Sequence, residues 1–400
     1  MTTPLASQIL FATLGAALSA IACTSSHHSP SGNEGGVVGG GGGAGGGGAG
    51  GGGGAGGGDS VAGRGGAGGV AGASNTAGAT SNGGASGGAA GSGSGNGGQG
   101  GGAFVEPTKL SETGLFSDMA SETLAEGVEE FEPAHQLWSD GATKRRWVYL
   151  PPGSKIDSYR MDFWRYPIGT KLWKEFTRDG VRVETRLIQK YADDEWFMTA
   201  FQWNDEETDA LAVPDGQTDA RGTDHDIPDR ATCKKCHDNM PDKVLGFSAL
   251  QLSHEGPGVT TARLIEEKRF NAPPSQPLTV PGSDVERAAL GYLHANCGHC
   301  HNESDASAPY AKGIGMVLWL HADELAQPSD TATYSTTIGQ STQSSSGIGG
   351  TRVVPGDLQN SVLYQRFTTT DQLLRMPPAG TEIKDAAGQQ IIADWIVGLK

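Results

Sequence analysis

The sequence predicts an α+β protein: a β-rich region over residues 104–270, then a Pro-rich linker at 271–282, then an all-α module over 283–400. Three observations lead there. Between about Leu137 and Val213 apolar and polar residues alternate with the period of a strand. Beyond Gly282 the period becomes that of a helix. Ahead of both, residues 31–103 are almost entirely Gly, Ala, Ser and Asn, with no apolar pattern that could build a core.

In the first region "RRWVYLPPG", "TKLWKEFTRDG", "VRVETRLIQKY" and "EWFMTAFQW" read as strands punctuated by Gly, Pro and Asp. Val181, Val183, Thr185 and Leu187 share one face, and "RDG" ending at Gly180 is a hairpin signal. Trp147, Trp164, Trp173, Trp196 and Trp203 read as core. "KVLGFSALQLSH" reads as a helix ending at His254.

In the second region Ser283 and Glu286 have capping-box spacing, and the helix they start places Val285, Ala289, Leu293 and Asn296 on one face. The C-terminal "KDAAGQQIIADWIVGLK" puts Ile391, Ile392, Trp395, Ile396 and Leu399 on one stripe. The Ser/Thr/Gly-rich stretch from Gln327 to Gly350 reads as a surface insertion.

The 400-residue chain has a formal net charge of −16, and only Glu34, Asp59 and Arg64 are charged before residue 104. So acidic a folded part argues against nucleic acid as a partner and for proteins with basic docking faces.

Of five cysteines, Cys233, Cys236, Cys297 and Cys300 all fall in Cys-x-x-Cys-His units, "CKKCH" and "CGHCH". Covalent attachment of haem through its vinyl groups needs two thiols at a short fixed spacing and an imidazole directly after them for the iron. A structural zinc site commonly has its two pairs 15 to 20 residues apart and needs no His after each. A thioredoxin-type redox pair sits near a βαβ unit, and none is legible here. With 10 histidines in 400 residues, both pairs gain a following His by chance about once in 1,600. The expectation is two covalently attached c-type haems, on Cys233 and Cys236 with His237 as iron ligand, and on Cys297 and Cys300 with His301.

Residues 283–400 resemble a cytochrome c module: a helix leading into the motif, a closing helix, and a late methionine, Met376 in "RMPP", as second iron ligand of the His301 haem. Met316 reads as core, and Arg375 is placed to pair with a haem propionate or to remain at the surface. For the first haem Met240 is too close in sequence to His237 to reach the opposite ring face. His254, His225, Met198 and an open position all remain in play.

Together "LWSDGATKRRWVYLPPGSKI", "ETRLIQKY", "IPDRATCKKCH", "ANCGHCHN", "VPGDLQNSVLYQRF" and "RMPP" resemble a family of exported bacterial diheme c-type cytochromes. The resemblance covers about Pro107 to Lys400, and implies a β-rich half contributing one haem and a cytochrome c module contributing the other. Residues 1–23, with the apolar run "ILFATLGAALSAIAC", resemble a bacterial lipoprotein signal in which Cys23 is lipidated. An ordinary secretory signal is the alternative, because the start lacks Lys and Arg and Ala20 stands where Leu is usual. Residues 24–103 would then be a tether reaching on the order of 45 Å. Thr24 after the cysteine favours the outer membrane, and the chain is expected in the periplasm or at the cell surface. Two functions follow from the motifs: electron transfer between redox partners, or a diheme redox enzyme with an open position at the first iron.

Overall fold

The computed structural model describes residues 104–304, 313–343 and 347–400. The described residues fall in one compact unit. Its centre is a six-stranded antiparallel sheet in sequential order, β3 (Val128–Glu130), β4 (Thr143–Tyr149), β5 (Lys171–Arg178), β6 (Val181–Ala192), β7 (Glu195–Trp203) and β8 (Ala210–Ala212). The short pair β1 (Phe116–Asp118) and β2 (Thr123–Leu124) precedes it. The β5–β6 hairpin closes through Asp179 and Gly180, both at positive φ (50° and 82°). That is the turn an Asp-Gly pair favours because its twist matches the flanking strands.

Alternation along the strands builds two cores. One face packs Trp147, Trp173, Leu187, Phe201 and Trp203 around Leu110 and Leu115. Two indole N–H groups there find hydroxyls, Trp173 on Thr113 and Trp203 on Thr185, each at 3.0 Å. The opposite face, bearing Val148, Leu172 and Ile188, packs Trp164, Phe247 and Leu252 from the segments after the sheet. The sheet is thus covered on both sides, so the polar residues on its second face look into the protein and not into water.

Six helices are present among the described residues: α1 (Arg230–His237), α2 (Thr261–Glu266), α3 (Asp284–Asn296), α4 (Ala332–Thr337), α5 (Val362–Thr368) and α6 (Ala386–Gly398). The capping box forms as read, Ser283 N–H donating to Glu286 Oε2 at 2.8 Å and Glu286 N–H to Ser283 Oγ at 3.4 Å. On α3, Ala289, Leu293 and Asn296 are buried, but Val285 in the first turn is exposed. The α6 stripe buries Ile392, Trp395 and Ile396 against α3.

The expected all-α cytochrome c-like module does not form. Among the described residues of 283–400 only α3 and α6 are long; α4 and α5 have 6 and 7 residues. The chain between them makes β-bridges instead, Ile338 with Val353 and Thr351 with Ser361. The physical reason is compositional: Gly, Ser, Thr and Pro dominate that stretch, and these residues favour turns and caps over helix interiors. The observed class is a sheet-centred protein with few helices. Two smaller expectations also change. "KVLGFSALQLSH" forms turns, with Lys243 and Gly246 at positive φ, and still buries Val244, Phe247 and Leu252. Within Gln327–Gly350, Thr331, Thr333 and Thr337 are fully buried. Thr337 satisfies its hydroxyl on the Thr333 carbonyl at 2.6 Å, so polar composition did not mean exposure here.

Candidate functional site

The first motif is α1 itself. Asp229 caps it by accepting from Thr232 N–H at 2.5 Å. In a helix Cys233, Cys236 and His237 stand three and four residues apart, and so on one face. His237 ends the helix, and its Nδ1 lies 2.5 Å from the Lys243 carbonyl. A carbonyl only accepts, so Nδ1 carries the proton and Nε2 keeps its lone pair, the arrangement an iron-binding imidazole requires. Burial pulls this imidazole pKa down to about 4, keeping it neutral. The loop that aims Lys243 is anchored by buried Asp242. Its carboxylate accepts from Lys190 Nζ at 2.8 and 3.0 Å, Trp196 Nε1 at 2.9 Å and Tyr166 N–H at 2.5 Å.

The second motif begins where α3 ends. Cys300 and His301 donate their N–H groups to the Cys297 carbonyl at 3.1 and 2.9 Å, folding the motif into a turn. Gly298 is required there: a Cβ would fall 2.7 Å from the His294 carbonyl and 3.0 Å from that of Leu318. Burial lowers the His301 pKa to about 4 against the opposing pull of the Met316 carbonyl. That contact falls short of hydrogen-bond geometry at Nδ1.

The two motifs, far apart in sequence, meet. Asn239 joins them, its N–H on the Cys236 carbonyl at 3.3 Å, and Cys300 is near enough to raise the Cys236 thiol pKa. Asn239 Nδ2 donates to Cys300 Sγ at 3.3 Å, and Ser304 Oγ to the Asn239 carbonyl at 2.9 Å, pinning the two loops together. Beside them opens a cavity of about 990 Å³ whose wall includes Cys233, Cys236, His237, Cys297, Cys300 and Met376. This is at the top of the roughly 300–1,000 Å³ range of ordinary small-molecule clefts. His301 is not on that wall.

Of the sequence candidates for a second ligand at the first motif, Met198 and His225 line the cavity and His254 does not. His225 Nε2 is engaged by Glu184 at 2.7 Å, and His254 Nε2 by the Glu132 carbonyl at 2.7 Å. Met240 is buried against Phe163 and Trp319, and Met316 packs beside α3 and α6, as expected of core methionines. Arg375 is on the cavity wall, its Nε without a protein partner among the described residues. His299, which lines the cavity and bears on the Cys236 thiol, was missed. It occupies a variable position of its motif, and nothing local marks such a position as functional.

The chemistry of the donors narrows the alternatives. None of the four cysteines is in a disulfide. Cys300 and burial push the Cys236 thiol up to about 12, and burial does the same to Cys297. Thiol redox catalysis needs the opposite shift. Among the described residues no group of three or more His, Cys, Asp or Glu side chains is placed to hold a metal ion. Haem makes no such demand, since only the imidazole reaches the iron while the thiols join the ring edge. The residues present therefore fit a covalently held haem, most completely at the first motif.

Cys23 and the Gly-rich stretch lie outside the described residues. No helix among the described residues is long and apolar enough to cross a membrane. Comparison of the chain with protein-family models, with curated proteins and with solved structures found no match.

Proposed function

We propose that this protein is an exported electron carrier that holds two haems covalently, one on Cys233 and Cys236 with His237 at the iron, the other on Cys297 and Cys300 with His301 at the iron and Met376 as its second ligand. One observation carries the reading: both thiol pairs border a single cavity, where Asn239 ties the Cys236 loop to Cys300. Attachment points on one cavity wall would hold two haems near each other, the closeness that electron passage between two centres needs.

One-electron oxidation and reduction is the chemistry the haem irons supply when bound. The chain's own residues do the rest. His237 is held in the iron-binding tautomer by Lys243, and the apolar side chains of the wall, Leu172, Ile188 and Met198, keep water away. The acidic surface steers basic redox partners toward the molecule. Lipidation at Cys23 and the Gly-rich tether would hold it to a membrane, the outer one by the Thr24 rule, facing the periplasm or the outside.

The test is haem stoichiometry by pyridine haemochrome and intact mass, on full-length chain made with a c-type maturation system. Carbon monoxide is then added to the reduced form. Two covalent haems with no carbon monoxide shift are expected. A shift at one haem would turn the carrier into a candidate redox enzyme. No haem, with a mass showing a Cys236–Cys300 disulfide, would overturn the reading.

A further inference from the structure

The sheet face that floors the cavity bears a line of positive side chains with no role in the account so far. Arg146 on β4 stands directly opposite Lys174 on β5, and Lys174 directly opposite Arg186 on β6. Lys144 is on the same face two residues before Arg146. Direct antiparallel neighbours have Cβ atoms about 4.5–5.5 Å apart, and like charges so placed repel.

Glu184 is the one carboxylate that forms an ion pair with this row among the described residues, while Glu132, Asp140 and Asp385 act on Arg146 and Lys144 only from a distance. Arg186 has Glu184 at 2.5 Å, which is shared with His225 at 2.7 Å. Arg146 meets the neutral amide oxygen of Gln136 at 2.6 Å, and Lys144 the Leu137 carbonyl at 2.7 Å. Lys174 has no hydrogen-bond partner among the described residues; its Nζ lies 5.1 Å from the Phe176 ring centroid.

Burial and the neighbouring cations depress both lysines, Lys144 to about 8 and Lys174 well below its ordinary value. Left so, the row is a cost to the fold, and an anion in the cavity would remove it. Its place names the anion. Arg146, Lys174 and Arg186 all line the cavity. The field of Arg186 reaches Cys233 and Cys236, and Lys174 and Arg186 both act on His237.

We propose that Arg146, Lys174 and Arg186 seat the carboxylates of the haem held at the first motif, and that their charge raises its reduction potential. This rests on the two-haem reading. Cations beside the ring favour the electron-richer reduced iron, so removing one lowers the potential. Lys174 is the decisive member because, among the described residues, no hydrogen bond or ion pair engages it.

The test uses the full-length loaded protein. Haem stoichiometry of the unaltered chain comes first; absence of haem there defeats the electron-carrier reading and not this assignment in particular. With two haems bound, spectroelectrochemical titration is compared for Lys174→Met, Lys174→Arg and the unaltered chain, with and without added acetate. Lys174→Met is expected to lower one of the two potentials and leave the other, Lys174→Arg to keep both, and acetate to move neither. Unchanged potentials in Lys174→Met with both haems in place would overturn the proposal. So would an acetate-dependent potential that Lys174→Met abolishes, since the row would then serve an exchangeable solute anion. If Lys174→Met does not fold, Arg146→Gln gives the same readout from the next strand.

Discussion

The Lys243 carbonyl accepts a hydrogen bond from His237 Nδ1 at 2.5 Å, and the residue before it, Asp242, is locked by Lys190 from β6. The candidate iron ligand is thus oriented by a buried ion pair that belongs to the sheet. Lys190 and Asp242 are 3% and 1% exposed at their side chains. Asp242→Ala leaves a buried ammonium unpaired, an expected loss of about 3–5 kcal/mol in urea denaturation. A loss below about 1 kcal/mol would show that the loop is held by something else.

Met376 borders the cavity, its N–H fixed on the Arg366 carbonyl at 2.9 Å. Met376→Ala in the loaded protein is expected to abolish sulfur-to-iron absorption and to lower one of two potentials, because thioether ligation favours the reduced iron. An unchanged spectrum would move the ligand elsewhere, with Met198 next to be replaced.

His294 is buried, and Leu320 N–H donates to its Nδ1 at 3.1 Å, which places the ring proton on Nε2, without a partner among the described residues. Burial, with His135, His321 and His299 nearby, holds its pKa down to about 3. The unfolded chain takes up this proton near pH 6.5 and the folded chain only near 3. Between those values the unfolded state binds more protons, so stability falls as pH falls. His294→Gln is expected to flatten the decline of the urea midpoint between pH 6.5 and 4. An undiminished slope would assign the acid sensitivity to His237 and His301.

Gly388 of α6 lies under the Tyr292 ring of α3, where a Cβ would come within 2.4 Å of the ring. The Tyr292 hydroxyl donates to Asp385, the cap of α6, at 3.0 Å. Gly388→Ala is expected to destabilise by about 1–3 kcal/mol despite alanine's better helix propensity. The midpoint of thermal unfolding reads this directly. A gain in stability would mean that the helices part freely.

Much of this was legible in the chain. The Ser283–Glu286 box, the Asp179–Gly180 hairpin and the α6 stripe are local patterns, and each formed as read. The overturned cytochrome c-like module came from extending two well-marked helices across an intervening stretch with no helical period. Val285 was misplaced because a helix face is completed only by what packs on it.

By itself the sequence determined the spacing of the two Cys-x-x-Cys-His units, because a pattern of neighbours along the chain is fixed before any folding; the proposed haem attachment rests on that spacing. Only the tertiary structure decided that Asn239 ties the Cys236 loop to Cys300, that Asp242 holds the His237 loop, and that Arg146, Lys174 and Arg186 stand in one line. Those relations join strands and loops distant in sequence. They depend on register and on both sheet faces being covered, which no local period encodes.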